Sequence, residues 1–146
     1  MSNQLPAAVN ASSIQIAFTR YQDGDYEIFV MNADGTEERQ LTSNGSEKGF
    51  PSWSPDGKQI AFSSDRDGDA EIFVMNADGG KVHQLTDNDS PDAWPSWSPD
   101  GDHIVFGGYR GEGDWERDWE IFVMNADGTE ERQLTDNDSD DAWPSW

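Results

Sequence analysis

An all-β fold built from repeated four-stranded units is predicted by three observations. The first is internal repetition. IAF at 16–18 returns at 60–62 and, as IVF, at 104–106, and IFVMNADG at 28–35 returns at 72–79 and 121–128. QLT recurs at 40–42, 84–86 and 133–135, and PSW at 51–53, 95–97 and 144–146. The second is turn chemistry. Gly, Pro and Asp-Gly interrupt every stretch of about a dozen residues, which defeats helices, and Asp-Gly supplies the positive φ of tight hairpins. The third is the run Ile72, Phe73, Val74, Met75, apolar at consecutive positions as in a strand buried on both faces. Four strands per repeat and a period in the forties are the signature of β-propeller blades.

The elements follow in order within a repeat. The first strand is PSWS, closed by Pro55-Asp56-Gly57 or Pro99-Asp100-Gly101. The second, QIAFSS, ends at Asp67-Gly68-Asp69. The third, EIFVMN, runs to Ala77-Asp78-Gly79, and the fourth ends in QLT. Insertion of five residues between Phe106 and Glu120 stretches the repeat from 44 to 49 residues. The segment EIFVMNADGTEERQLT is identical at 27–42 and 120–135, the mark of a recent duplication or a designed array.

Composition narrows the function. The 146 residues carry 9 Lys and Arg against 30 Asp and Glu, a net charge of -21. Phosphate backbones are bound by positive surfaces, so nucleic acid is excluded as a partner, and an anionic membrane is disfavoured. The absence of cysteine excludes disulfides and thiolate chemistry. No apolar run approaches a membrane span, and residues 1–13, an N-terminal extension, show no signal-peptide pattern.

The motifs WSPDG (53–57 and 97–101), IAFSSDRDG (60–68) and EIFVMNADG (71–79), each set followed by QLT, resemble the repeat of the TolB-like β-propeller family. The resemblance covers residues 14–146. It implies a six-bladed propeller, a binding role for a protein, a peptide or a segment entering the central channel, and a periplasmic location.

Labelled A to D from the inside out, the strands run BCD, ABCD, ABCD, A. Three blades are too few to close a ring, and an open stack exposes sheet edges. Two copies supply six blades. The expectation is a two-fold homodimer in which Pro144, Ser145 and Trp146 of one chain complete the first blade, at Ile14, Ile16 and Phe18, of the other. The alternative is a longer chain that supplies the remaining blades.

Strand direction sorts the loops. The A–B and C–D turns, SPDG and NADG, share one face and are nearly invariant. The B–C and D–A connections share the other: Tyr21–Tyr26, Ser64–Ala70, the insertion 107–119, and Ser43–Phe50, Asp87–Trp94 and Asp136–Trp143. Function concentrates on variable loops over a rigid scaffold. The candidate binding residues are therefore Tyr109, Arg110, Trp115, Arg117 and Trp119 of the insertion, with Trp94 and Trp143, since aromatic and Arg clusters dominate binding hot spots. Asp92 and Asp141, matched by Lys48, are expected near the channel mouth and are candidate Ca²⁺ ligands; the competing reading is that these Asp-rich loops are solvated turns. The run from Asp65 departs from a calcium-binding EF-hand loop, with Gly at the fourth place instead of the sixth.

Catalytic signatures are missing. His83 and His103 align with Arg39 and Gln59 and read as surface residues, and no nucleophile elbow, H-E-x-x-H pair or phosphate loop occurs. The expectation is a non-enzymatic scaffold with no cofactor, binding a cationic protein or peptide with salt-sensitive affinity. The alternatives are a module for carbohydrate or Ca²⁺, or an assembly with no specific ligand.

Overall fold

The computed structural model describes residues 14–110 and 118–146. Its elements are all strands: β1 (Gln15–Gln22), β2 (Asp25–Asn32), β3 (Arg39–Gln40), β4 (Lys48–Trp53), β5 (Gln59–Ser64), β6 (Glu71–Asn76), β7 (His83–Gln84), β8 (Asp92–Trp97), β9 (His103–Arg110), β10 (Asp118–Asn125) and β11 (Arg132–Gln133). They form three antiparallel sheets, β1-β2-β3, β4-β5-β6-β7 and β8-β9-β10-β11, hereafter blades 1 to 3. Among the described residues blade 1 has no A strand.

The stack is held by two apolar layers between blades. Ile28 and Val30 of blade 1 meet Ile60, Phe62, Phe73 and Met75 of blade 2. Ala61, Ile72 and Val74, on the opposite face of blade 2, meet Ile104, Phe106, Phe122 and Met124 of blade 3. This explains the consecutive apolar residues of the third strand: alternate side chains serve alternate neighbours. Each blade thus has a face of aromatic and large residues and a face of small and branched ones. The outer faces of the stack are one of each kind. Blade 1 ends on Ile16, Phe18, Phe29 and Met31, the equivalents of Ile60, Phe62, Phe73 and Met75. Blade 3 ends on Val105, Ile121, Val123 and Leu134, the equivalents of Ala61, Ile72, Val74 and Leu85.

Several boundaries differ from expectation. Tyr21 and Tyr26 are strand residues, because Asp23 and Gly24, at φ 56° and 111°, close a two-residue hairpin between β1 and β2. The A strand starts at Lys48 or Asp92, so the end of the expected D–A loop is strand. A bulge hides this: the register with the B strand shifts between Gly49 and Ser52 and between Ala93 and Ser96. Fourth strands shrink to two paired residues. Residues 144–146 form no strand; the Trp146 indole instead donates to the Ser96 carbonyl at 3.0 Å. The insertion 107–119 begins and ends as extensions of β9 and β10, and Trp115 and Arg117 lie outside the described residues.

Candidate functional site

The site grows from the bulged inner strands. Phe50, Trp94 and Trp143, at equivalent positions, adopt φ of 54°, 58° and 53°. Non-glycine residues in this region are uncommon and cost energy that the surrounding fold must supply. The bulges of β4 and β8 turn the rings of Phe50 and Trp94 toward the face that carries the B–C and D–A connections, and Trp143, outside any strand, has the same backbone turn. There Trp94 becomes the hub of an aromatic cluster. Its ring centroid lies 4.3 Å from Trp119, 5.3 Å from Trp143 and 6.0 Å from Phe50, and Trp119 lies 5.5 Å from Tyr109. Four of the candidate binding residues therefore converge. Gly107 makes the room: a Cβ there would come within 2.7 Å of the Trp94 ring.

A cavity of about 550 Å³ opens beside this cluster. Tyr26, Phe50, Trp94 and Trp119 line it, with Glu47, Lys48, Ser64 and Asp65 among its polar groups. Most of these polar groups serve the fold. Lys48, fully buried, pairs with Glu27 at 3.2 Å. Asp65 accepts from the Glu47 amide at 2.8 Å, and Ser64 shares a hydrogen bond with Ser46. Phe50 and Trp143 remain exposed, the latter by 73%.

A repeated polar joint underlies the site. Glu27, Glu71 and Glu120, at the starts of the C strands, each accept the hydroxyl of a threonine, Thr42, Thr86 or Thr135. The same hydroxyl oxygen accepts the next backbone amide at 2.9 Å. Glu71 and Glu120 also accept the amides of Asn88 and Asn137. Asp92 is buried at 0% exposure. Asn88 Nδ2 donates to its Oδ2 at 2.8 Å, while Arg110 Nη1 stands 2.8 Å from Oδ1 as an ion pair rather than an aligned hydrogen bond. Burial pushes the Glu71 carboxyl up to about 7 against the pull of Thr86 and Asn88, and the Asp92 carboxylate adds to the rise.

Asp92 therefore sits inside the blade junction, with its charge balanced by Arg110, and Lys48 is buried at the matching place. Asp141 is half-buried at the third. Among the described residues no group of three or more acidic or histidine side chains is close enough to share a metal ion.

One recurrent feature was not foreseen from sequence. In every blade two phenylalanines stack, at centroid distances of 5.8, 5.8 and 5.6 Å, and an arginine covers the second ring. Arg20 lies 4.5 Å over Phe29, Arg66 4.3 Å over Phe73 and Arg110 4.6 Å over Phe122. Arg66 and Arg110 share the repeat spacing, which is the available signal; Arg20 is two residues out of phase and hides the pattern.

Radially stacked antiparallel blades, with their variable connections gathered on one face, define a β-propeller module. The sequence profile of the TolB beta propeller domain matches residues 4–146, and the chain belongs to that family. Among solved structures it is similar to a putative TolB from Agrobacterium tumefaciens, at 29% identity and a TM-score of 0.76, over 86% of this chain and 49% of that one. It is similar also to TolB from Acinetobacter baumannii, at 26% identity and a TM-score of 0.70, over 83% of this chain and 29% of that one. An oligogalacturonate lyase solved with manganese matches at 23% identity and a TM-score of 0.58, over 75% of this chain and 30% of that one, a likeness of fold alone. The chain thus spans about half the length of the first of these relatives and less of the others. A search of curated proteins gave no match.

Proposed function

We propose that this chain is a non-enzymatic propeller module that closes into a ring with a second copy and binds protein or peptide segments on its B–C/D–A face. The observation that carries the binding role is the aromatic-lined cavity of about 550 Å³ under Trp94. Clustered, partly exposed indoles set on strands supply contact area at small entropic cost, the property of binding hot spots. The non-enzymatic reading is supported by the cavity's polar groups, since Lys48, Ser64 and Asp65 are engaged in bonds that hold the blades. The net charge of -21 favours a cationic partner.

Ring closure is supported by the complementary outer faces of the stack. Blade 1 presents the kind of face that blade 2 uses to meet blade 1, and blade 3 presents the kind that blade 2 uses to meet blade 3. On these faces Ile16 and Leu134 are 40% and 48% exposed, where Ile60 and Ile104, the equivalents of Ile16, are at 0%; Phe29, Val105 and Val123 are already buried within the chain. A two-fold pair joins each outer face to its complement.

The binding role is tested by selecting peptides from a random display library and titrating them while following Trp fluorescence. The expected winners are rich in Lys or Arg and aromatic residues. They quench the indoles, weaken as salt rises, and lose affinity by about tenfold or more on Trp94→Ala. Peptides indifferent to Trp94→Ala, or quenching by a panel of oligosaccharides alone, would contradict it; the second outcome favours the carbohydrate reading, which stacked indole faces also suit.

A further inference from the structure

Lys48 and Asp92 open equivalent inner strands, each at the boundary between the glutamate of the preceding blade and the arginine of its own, and Asp141 holds the equivalent position of the repeat. At the first boundary Lys48 pairs with Glu27 at 3.2 Å and Arg66 stays over its phenylalanine. At the second, Asp92 pairs with Arg110 at 2.8 Å. Asp141 is set in the same way as Asp92. Its amide donates to the Trp119 carbonyl at 2.6 Å, as that of Asp92 donates to Ala70 at 2.6 Å. Asn137 Nδ2 holds its Oδ2 at 2.8 Å, as Asn88 holds Asp92. Among the described residues Asp141 has no cation partner, whereas Asp92 has Arg110.

The matching cation stands at the other end of the stack. Arg20 covers Phe29 and grips Glu38 through both Nη atoms at 2.7 and 2.8 Å. Arg110 covers the equivalent Phe122 and approaches the equivalent Glu131 at 3.7 Å. The two guanidiniums therefore occupy the same place in their blades, but Arg20, 41% exposed, meets no inner strand among the described residues. Strand register points the same way. Blade 3 pairs Asp92 with Gly108, Ala93 with Gly107, Ser96 with Val105 and Trp97 with Ile104. Transferred through the repeat to the edge of β1 that has no partner strand among the described residues, these pairs become Asp141 with Arg20, Ala142 with Thr19, Ser145 with Ala17 and Trp146 with Ile16. A Cβ on Gly108 would fall 2.9 Å from both Asp92 Oδ1 and Arg110 Nη1, so an arginine rooted at that position enters the ion-pair site directly.

We propose that a second copy of this chain seats its Asp141–Trp146 segment on that edge of β1, with Asp141 paired to Arg20 across each of two identical junctions. This rests on the ring-closing reading and names the contact that fixes its register. Opposite charges facing each other across antiparallel strands favour the pairing, and like charges there oppose it.

The test is the dimer dissociation constant by sedimentation equilibrium for wild type, Arg20→Glu, Asp141→Lys and the double variant. Arg20→Glu faces Asp141 and Glu120 with a third carboxylate and should weaken the dimer about tenfold or more. Asp141→Lys alone copies the Lys48 boundary, where lysine turns to the glutamate, and should change affinity by less than about threefold. The double variant should return to within about threefold of wild type. A second pair of substitutions guards against misfolding. The chain has no cysteine, so Arg20→Cys with Asp141→Cys should give a covalent dimer on mild oxidation, whereas the off-register Arg20→Cys with Ser145→Cys should not. A wild-type dimer in which the two charge changes act independently, and the two cysteine pairs link equally, overturns the ion pair and leaves the ring standing. A wild-type monomer at all concentrations overturns both.

Discussion

Glu71 shows how a single residue is set by neighbours distant in sequence. Its carboxyl is buried at the junction of blades 2 and 3 and raised to about 7 from an ordinary value of 4.5. Between those values the folded chain holds a proton that the unfolded chain releases. Its contribution to stability is therefore full below pH about 4.5 and is lost as pH rises through about 7. Glu71→Gln keeps the neutral form at every pH. The Tm of wild type relative to Glu71→Gln, read by circular dichroism, should fall between pH 5 and pH 8; parallel profiles would contradict the raised carboxyl. Little of this was legible in the sequence. Glu71 lies in a repeated motif and Asp92 in a loop-like run, and only the bulged strand brings them together. The tryptophans were more legible: Trp94, Trp119, Trp143 and Tyr109 do converge. Their convergence depends on positive φ at Trp94 and Trp143, which no propensity announces for tryptophan.

At the scale of the element, β9 carries the closest steric fit. The large ring of Trp94 faces Gly107, while the smaller Phe50 belongs to the blade whose equivalent residue is Ser63. Gly107→Ala would place a methyl group 2.7 Å from the Trp94 ring. It should cost about 1–3 kcal/mol through displaced packing, with a shift in Trp emission. Gly49→Ala, whose Cβ would lie 3.4 Å from the Ser63 hydroxyl, should be neutral or stabilise by a few tenths of a kcal/mol up to about 1. Urea midpoints for the two variants check the contrast; equal losses would contradict it. Strands β5 and β6 fall where the pattern put them, Gln59–Ser64 and Glu71–Asn76, because consecutive apolar residues and Asp-Gly turns are local signals. The A strands were misjudged at their starts because a bulge breaks the two-residue alternation, and because Asp and Asn before it read as turn.

Among the described residues the molecule is three stacked sheets with unlike outer faces; the first has no inner strand, and at the other end residues 144–146 repeat the inner-strand motif PSW without forming a strand. The antiparallel, all-β propeller architecture was readable because each repeat is a local unit. What lay beyond the sequence was the alternation of faces, which depends on which side chains of β2, β6 and β10 point to which neighbour. Trp97 is 8% exposed against its neighbouring blade while Trp146 is 56% exposed, so the cost of the open stack falls on identifiable residues. The most direct test of ring closure is the native mass by light scattering on a sizing column. Closure predicts a single species of twice the 16.3 kDa chain, reverting toward monomer when Pro144–Trp146 are deleted. A single species of chain mass, unchanged by concentration or by that deletion, would contradict it.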